Sequence, residues 1–129
     1  MAGASVDFDA ADLSAQLEAL SDQERDTLPF GVILLDREGV VRFYSETELR
    51  YSKYPGPRIG VNFFKMAKRQ MKDELWHAIR RAMEGDDPVD LDFGWAGDHI
   101  DQKKQYRLRV VSAANGGVWL AFERDEPPD

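Results

Sequence analysis

The spacing of apolar positions changes along the chain, and the changes separate helical from extended stretches. Leu13, Leu17 and Leu20 recur at i, i+4 and i+7, which puts them on one stripe of a helix. Ser21-Asp-Gln-Glu24 then has the spacing of a capping box, in which serine and glutamate side chains satisfy free backbone N–H groups, so a second short helix is expected there. Residues 1–28 therefore read as an acidic cap of two small helices. Its apolar stripe is expected to lie on the body of the domain, although a partner's groove would use the same face.

Pro29 ends that pattern, and Phe30-Gly-Val-Ile-Leu-Leu-Asp36 is the β-branched, apolar run of a buried strand. Arg37-Glu-Gly39 supplies a turn and Val40-Val-Arg-Phe-Tyr44 a second strand, giving a hairpin. Residues 45–60 predict short helical turns and a loop, because Tyr54-Pro-Gly-Pro-Arg58 cannot continue a helix. From Phe63 to Glu84, Ala67, Met71, Leu75, Ala78, Ile79, Ala82 and Met83 keep the helical period up to a stop at Gly85 and Pro88, predicting the longest helix.

Three alternating stretches follow. Val89, Leu91, Phe93 and Trp95 alternate with Asp90, Asp92 and Gly94, which assigns Trp95 to the core. Tyr106, Leu108 and Val110 alternate with Arg107 and Arg109, and Val118, Leu120 and Phe122 follow the Asn115-Gly-Gly117 turn, so the chain closes on an antiparallel meander. Asp90 and Asp92 are expected across from Arg107 and Arg109, where opposite charges favour one register. Trp119 has the opposite parity to Leu120, so it faces either a partner or the N-terminal helices. The closing Glu123-Arg-Asp-Glu-Pro-Pro-Asp129 lacks apolar periodicity and is expected to fray.

The order β–β, short helices, long helix, β–β–β predicts an α+β fold: a five-stranded antiparallel sheet with helices on one face and an N-terminal helical cap. The cap is 1–28, the body 29–124 and the polar tail 125–129. A length of 129 residues suits one domain, and 43% hydrophobic with 32% charged residues is an ordinary globular balance. Twenty-four acids against seventeen bases give a net charge of −7, which argues against nucleic acid and anionic membrane surfaces as partners. The bases between Lys65 and Arg81 are interleaved with acids and read as a solvated helix face. No apolar run spans a bilayer and no secretory signal opens the chain, so a cytoplasmic location is expected. The absence of cysteine removes disulfides, thiolate ligands and thioesters. No metal-ligand spacing, phosphate loop or nucleophile with a base is evident, so an enzyme is not expected and no cofactor is assigned.

Leu28-Pro-Phe-Gly-Val-Ile-Leu-Leu-Asp36, Glu38-Gly-Val-Val-Arg-Phe-Tyr44 and Ile59-Gly-Val-Asn-Phe-Phe-Lys65, with the Tyr106 to Phe122 meander, resemble the PAS domains of the photoactive yellow protein type. In that family a tyrosine and a protonated glutamate four residues later hold the phenolate of a coumaroyl chromophore, helped by a hydroxyl residue. The resemblance assigns those places to Tyr44, Glu48 and Ser52, and the arginine that covers the pocket to Lys53. A buried glutamate resists ionisation and can donate a hydrogen bond while neutral. Glu46 has no counterpart and is expected to be solvated. The family's chromophore is attached to a cysteine, for which Lys65-Met-Ala-Lys-Arg-Gln-Met-Lys-Asp-Glu74 offers no equivalent, so covalent photoreception is excluded.

Two functional expectations follow. One is a bacterial signalling module that acts through a protein partner, such as a signalling effector, or as a homodimer, with Leu13, Leu17, Leu20 and Trp119 as candidate interface residues. The other is a noncovalent small-molecule sensor using Tyr44, Glu48, Ser52 and Lys53. His77 on the long helix is weighed as a haem ligand, and the competing reading of a half-exposed structural histidine is the favoured one.

Overall fold

The computed structural model describes residues 6–52, 56, 58–67, 71–97 and 105–124. The cap consists of α1 (Leu13–Glu18) and α2 (Asp22–Asp26). The body runs β1 (Gly31–Leu35), β2 (Val41–Tyr44), α3 (Glu46–Ser52), α4 (Phe63–Met66), α5 (Asp73–Glu84), β3 (Asp90–Gly97), β4 (Gln105–Ser112) and β5 (Val118–Arg124). The five strands form one sheet in the order β2-β1-β5-β4-β3, with antiparallel neighbours throughout. This is the expected α+β arrangement. The polar tail 125–129 lies outside the described residues.

Alternation along the strands gives the sheet two apolar faces. Ile33, Leu35, Leu108, Val110, Leu120 and Phe122 meet residues of α4 and α5, among them Phe63, Leu75 and Ile79. The opposite parity, Val32, Phe43, Val111, Trp119 and Ala121, meets Phe8, Leu13, Leu17 and Leu28 of the cap. The capping box at α2 is formed, with Glu24 N–H donating to Ser21 Oγ at 3.1 Å and Ser21 N–H to Glu24 Oε1 at 3.0 Å.

Three expectations need correction. The helix predicted over 63–84 is two helices: α4 ends at Met66 with Ala67 as its C-cap, and Lys72 is extended at φ −60°, ψ 140° before α5. Residues on both sides of the break still reach the same core, so the apolar period runs through it. Trp76 Nε1 ties the pieces together by donating to Phe64 O at 2.8 Å. Trp95 is 49% exposed instead of core. Asp92 lies opposite Arg109 and Trp95 opposite Arg107, so Phe93 and Gly94 together face one position of β4; this bulge, with Gly94 at φ +64°, flips Trp95 to the other face. Finally, Glu123 and Arg124 do not fray: β5 continues to Arg124, which pairs with Tyr106. Among the described residues no helix is long and apolar enough to cross a membrane.

Candidate functional site

The site is built on α3, whose first turn is fixed by short polar side chains. Ser45 Oγ accepts from Glu48 N–H at 3.1 Å, as an N-cap does, and from Val32 N–H at 3.0 Å, which fastens the helix to β1. Thr47 Oγ1 donates to Leu28 O at 2.8 Å. With the helix start held, Glu48 and Ser52, four residues apart, share a face, and Tyr44 at the end of β2 lies beneath it. The Tyr44 hydroxyl and Ser52 Oγ are 2.6 Å apart. The grouping of Tyr44, Glu48 and Ser52 is therefore formed; Lys53 lies outside the described residues. Glu46 is exposed, as expected, with Arg58 Nη1 3.8 Å from its carboxylate.

Glu48 is the most buried acid of the site at 3% exposure, and it is not free to face a ligand alone. Arg124, from the end of β5, grips both its oxygens: Nη1 donates to Oε1, and Nη2 to Oε2 at 3.1 Å. Gly31 makes the room, since a Cβ there would stand 2.1 Å from Glu48 Oε1. Burial pushes the Glu48 carboxyl above its ordinary value of 4.5, opposed by the charge and hydrogen bonds of Arg124. Burial lowers Arg124, but Glu48 outweighs it and holds the guanidinium above its ordinary value. A neutral Glu48 would leave that cation buried without a counter-charge, so at neutral pH the pair is ionised. Tyr44 is also pushed above its ordinary value, by burial first and then by Glu48, and stays a neutral phenol.

A covalently held coumaroyl group, which the family resemblance implies, does not fit these residues. The chain has no cysteine to attach it. Where a phenolate would need a donor, Glu48 presents a carboxylate, which only accepts. Arg124 and Arg58 were missed in the sequence. Arg124 continues the inward parity of Leu120 and Phe122 by one more step, and that alternation was the available signal. Arg58 lies with its guanidinium carbon 5.6 Å from the Tyr44 ring centroid, and in the sequence it follows Pro55-Gly-Pro57, which gives no periodic cue.

The candidate interface residues are placed inside. Leu13 and Leu17 are fully buried, Leu20 is half-buried, and Trp119 is 1% exposed beneath the cap, with Nε1 donating to Glu18 Oε2 at 2.9 Å. Leu13, Leu17 and Trp119 join cap to sheet and offer no open surface while the cap is docked, and Leu20 is covered only in part. Around them, Arg109 donates to the carbonyls of Phe8 at 3.0 Å and Ala10 at 2.7 Å, and Arg107 pairs with Asp9 at 2.6 Å. The ring of His77 is exposed on α5, edge-on to Trp76 with centroids 4.9 Å apart, and His99 lies outside the described residues. A cleft of about 160 Å³ lined by Arg37, Glu38, Asn62, Phe64, Arg80, Met83 and Glu84 shares no residue with the Tyr44 group.

No family model matches the chain. Photoactive yellow protein from Cereibacter sphaeroides is 30% identical over 125 residues, covering 92% of this chain and 97% of that protein. The photoactive yellow protein domain of the sensor histidine kinase Ppr from Rhodospirillum centenum superposes with a TM-score of 0.59 at 22% identity, over 82% of this chain and 94% of that one. The PAS domain of the quorum-sensing receptor RpfR from Cronobacter turicensis, solved in complex with C12:0, gives a TM-score of 0.51 at 15% identity, over 77% and 96% of the two chains. The last two likenesses concern the fold, whereas the first extends over nearly every residue of both sequences. The chain belongs to the photoactive yellow protein family.

Proposed function

We propose that the chain is a PAS-type signalling module that works without covalent photochemistry and passes its signal through contacts with a protein partner or a second copy of itself. The observation that carries this reading is the bidentate Glu48–Arg124 pair. It closes, from within the chain, the polar position at which a chromophore's anionic oxygen would have to be held. The surface left to carry a signal is the cap and the sheet face under it. A partner shifts the cap only to the extent that it binds the docked and undocked arrangements with different affinity.

Noncovalent sensing is a second reading, favoured by one feature. Arg58 Nη1 is buried with no hydrogen-bond acceptor among the described residues, beside the Tyr44 ring. A small acidic ligand would supply the hydrogen bond that the Glu46 carboxylate, 3.8 Å away, does not make. The deciding experiment is a near-ultraviolet and visible absorption spectrum of protein purified from its native host, with mass analysis of a denaturing extract. A clean spectrum and an empty extract are the expected result; a visible band or a co-purifying compound would overturn the adapter reading in favour of the sensor.

A further inference from the structure

Arg124 occupies a setting whose chemistry is more specific than a salt bridge requires. Its side chain is 16% exposed and that of Glu48 4%. The guanidinium carbon lies 4.8 Å from the ring centroid of Tyr51, 5.4 Å from Phe122 and 5.7 Å from Tyr106. One carboxylate engaged through both oxygens and three aromatic rings thus surround one planar cation. Each part selects for a guanidinium. The two oxygens match the parallel N–H groups of its fork, the rings favour a weakly hydrated cation, and an anion would be repelled by Glu48. An ammonium has the charge without the planar fork.

The position of Arg124 in the fold matters as well. It is the final residue of β5, and its pairing with Tyr106 is the first rung at that end of the β4–β5 ladder. Among the described residues its rung is the outermost of the ladder, so its side chain sits at an end from which the paired positions from Arg107 and Glu123 onward lead away.

We propose that Glu48 with Tyr51, Tyr106 and Phe122 forms a recognition site for a guanidinium group, and that Arg124 is its resident, exchangeable ligand. The site would accept a small guanidinium compound, or an arginine presented by a partner, when Arg124 is withdrawn. This inference rests on the reading above that the pocket is closed from within, and it adds the chemical class of what the site holds.

The test is chemical rescue in the full chain. Arg124→Ala should lower Tm, and guanidinium chloride at low concentration should raise it again along a saturating curve. At about ten times its Kd the cation should raise the folded-to-unfolded ratio of the variant about elevenfold, because it binds only the folded state. Sodium chloride should give no such rise, and neither should guanidinium added to the Arg124→Ala, Glu48→Gln double variant. A Tm for Arg124→Ala that falls steadily with guanidinium, as in wild type, would overturn the proposal.

If Arg124→Ala does not fold, nitrogen-detected NMR of the wild-type chain decides. A caged guanidinium gives separate, ring-current-shifted Nη signals that Glu48→Gln averages; one averaged signal in wild type counts against the cage. Failure here is visible in Tm or the Arg124 resonances. Failure of the proposed function appears instead as a compound extracted from the wild-type protein.

Discussion

The two faces of the sheet are both buried, but they are closed by different physical means. On the face covered by α3, α4 and α5, the charged pair Glu48–Arg124 is sunk among aromatic rings and held by side chains alone. On the cap face, Arg107 and Arg109 reach outward to an exposed aspartate and to backbone carbonyls of residues 8 and 10. The helices there have six and five residues, below the roughly 12 to 15 at which an isolated helix becomes even marginal in water. The cap is folded because it is docked, whereas α5, with twelve residues, and the core it covers are built to hold. The difference locates the part of the molecule whose folding depends most on its docking.

The largest effect is expected where the buried charge is left without its partner. Glu48→Ala should cost about 3 to 5 kcal/mol in urea unfolding, since Arg124 would remain charged and enclosed. Replacing both, as Glu48→Leu with Arg124→Met, should recover most of that loss, because no desolvated charge remains. A double variant as unstable as Glu48→Ala alone would show that the pair contributes through shape and not through charge.

Cutting the cap's anchor is the matching break on the other face. Leu17 is fully buried against the sheet, and Leu17→Ala should cost about 2 to 3 kcal/mol, the low end for such truncations, because a short cap can settle into the gap. The expected signature is local: amide protection falls across residues 6–28 while β1 and β5 keep theirs. Equal loss in the sheet would mean that cap and body unfold as one unit.

A smaller change sharpens the first prediction. Gly31→Ala puts a Cβ 2.1 Å from Glu48 Oε1 and 2.8 Å from its Cβ, and the carboxylate cannot retreat without leaving Arg124. About 1 to 3 kcal/mol of destabilisation is expected from such overpacking. The accompanying loss of the separate Arg124 Nη signals is the check; unchanged signals would mean that α3 shifts as a body.

Much of this arrangement was legible in the sequence, and the failures have definite causes. The capping box at Ser21 and the Tyr44, Glu48, Ser52 spacing could be read because each depends on residues a few positions apart. The strands could be read because alternation survives burial on both faces. Trp95 was misassigned because parity was carried through Gly94, whose φ of +64°, open to a glycine at little cost, resets it. Arg124 was given to a fraying tail because a charged residue breaks an apolar count, even though its parity pointed inward. Its pairing with Glu48 spans 76 positions, a contact that no local spacing encodes. The break between α4 and α5 escaped because periodicity reports which residues face the core and does not report whether the backbone between them is helical.

The smallest expected effect concerns the charge pair that helps to tie the cap to the sheet. The hydrogen bond from Arg107 holds Asp9 below its ordinary 3.8, with burial opposing and the charge of Arg107 assisting. Its contribution is therefore present above pH 3.8 and is lost as pH falls through the folded value. Glu48 gives no such simple sign: burial raises its carboxyl above 4.5, yet protonating it would leave Arg124 enclosed without a counter-charge. Acidification should thus weaken the Asp9–Arg107 link between cap and sheet. Measured by hydrogen exchange corrected for the intrinsic pH dependence, protection in residues 6–28 should fall with acid below pH 3.8 while β1 stays closed. Asp9→Asn should flatten that acid slope in the cap and leave the sheet unchanged. An acid slope identical in wild type and Asp9→Asn would mean that the Asp9–Arg107 pair, exposed as it is, does not help to hold the cap, and that its docking rests on the apolar contacts of Phe8, Leu13 and Leu17 and on the hydrogen bonds of Arg109 and Trp119.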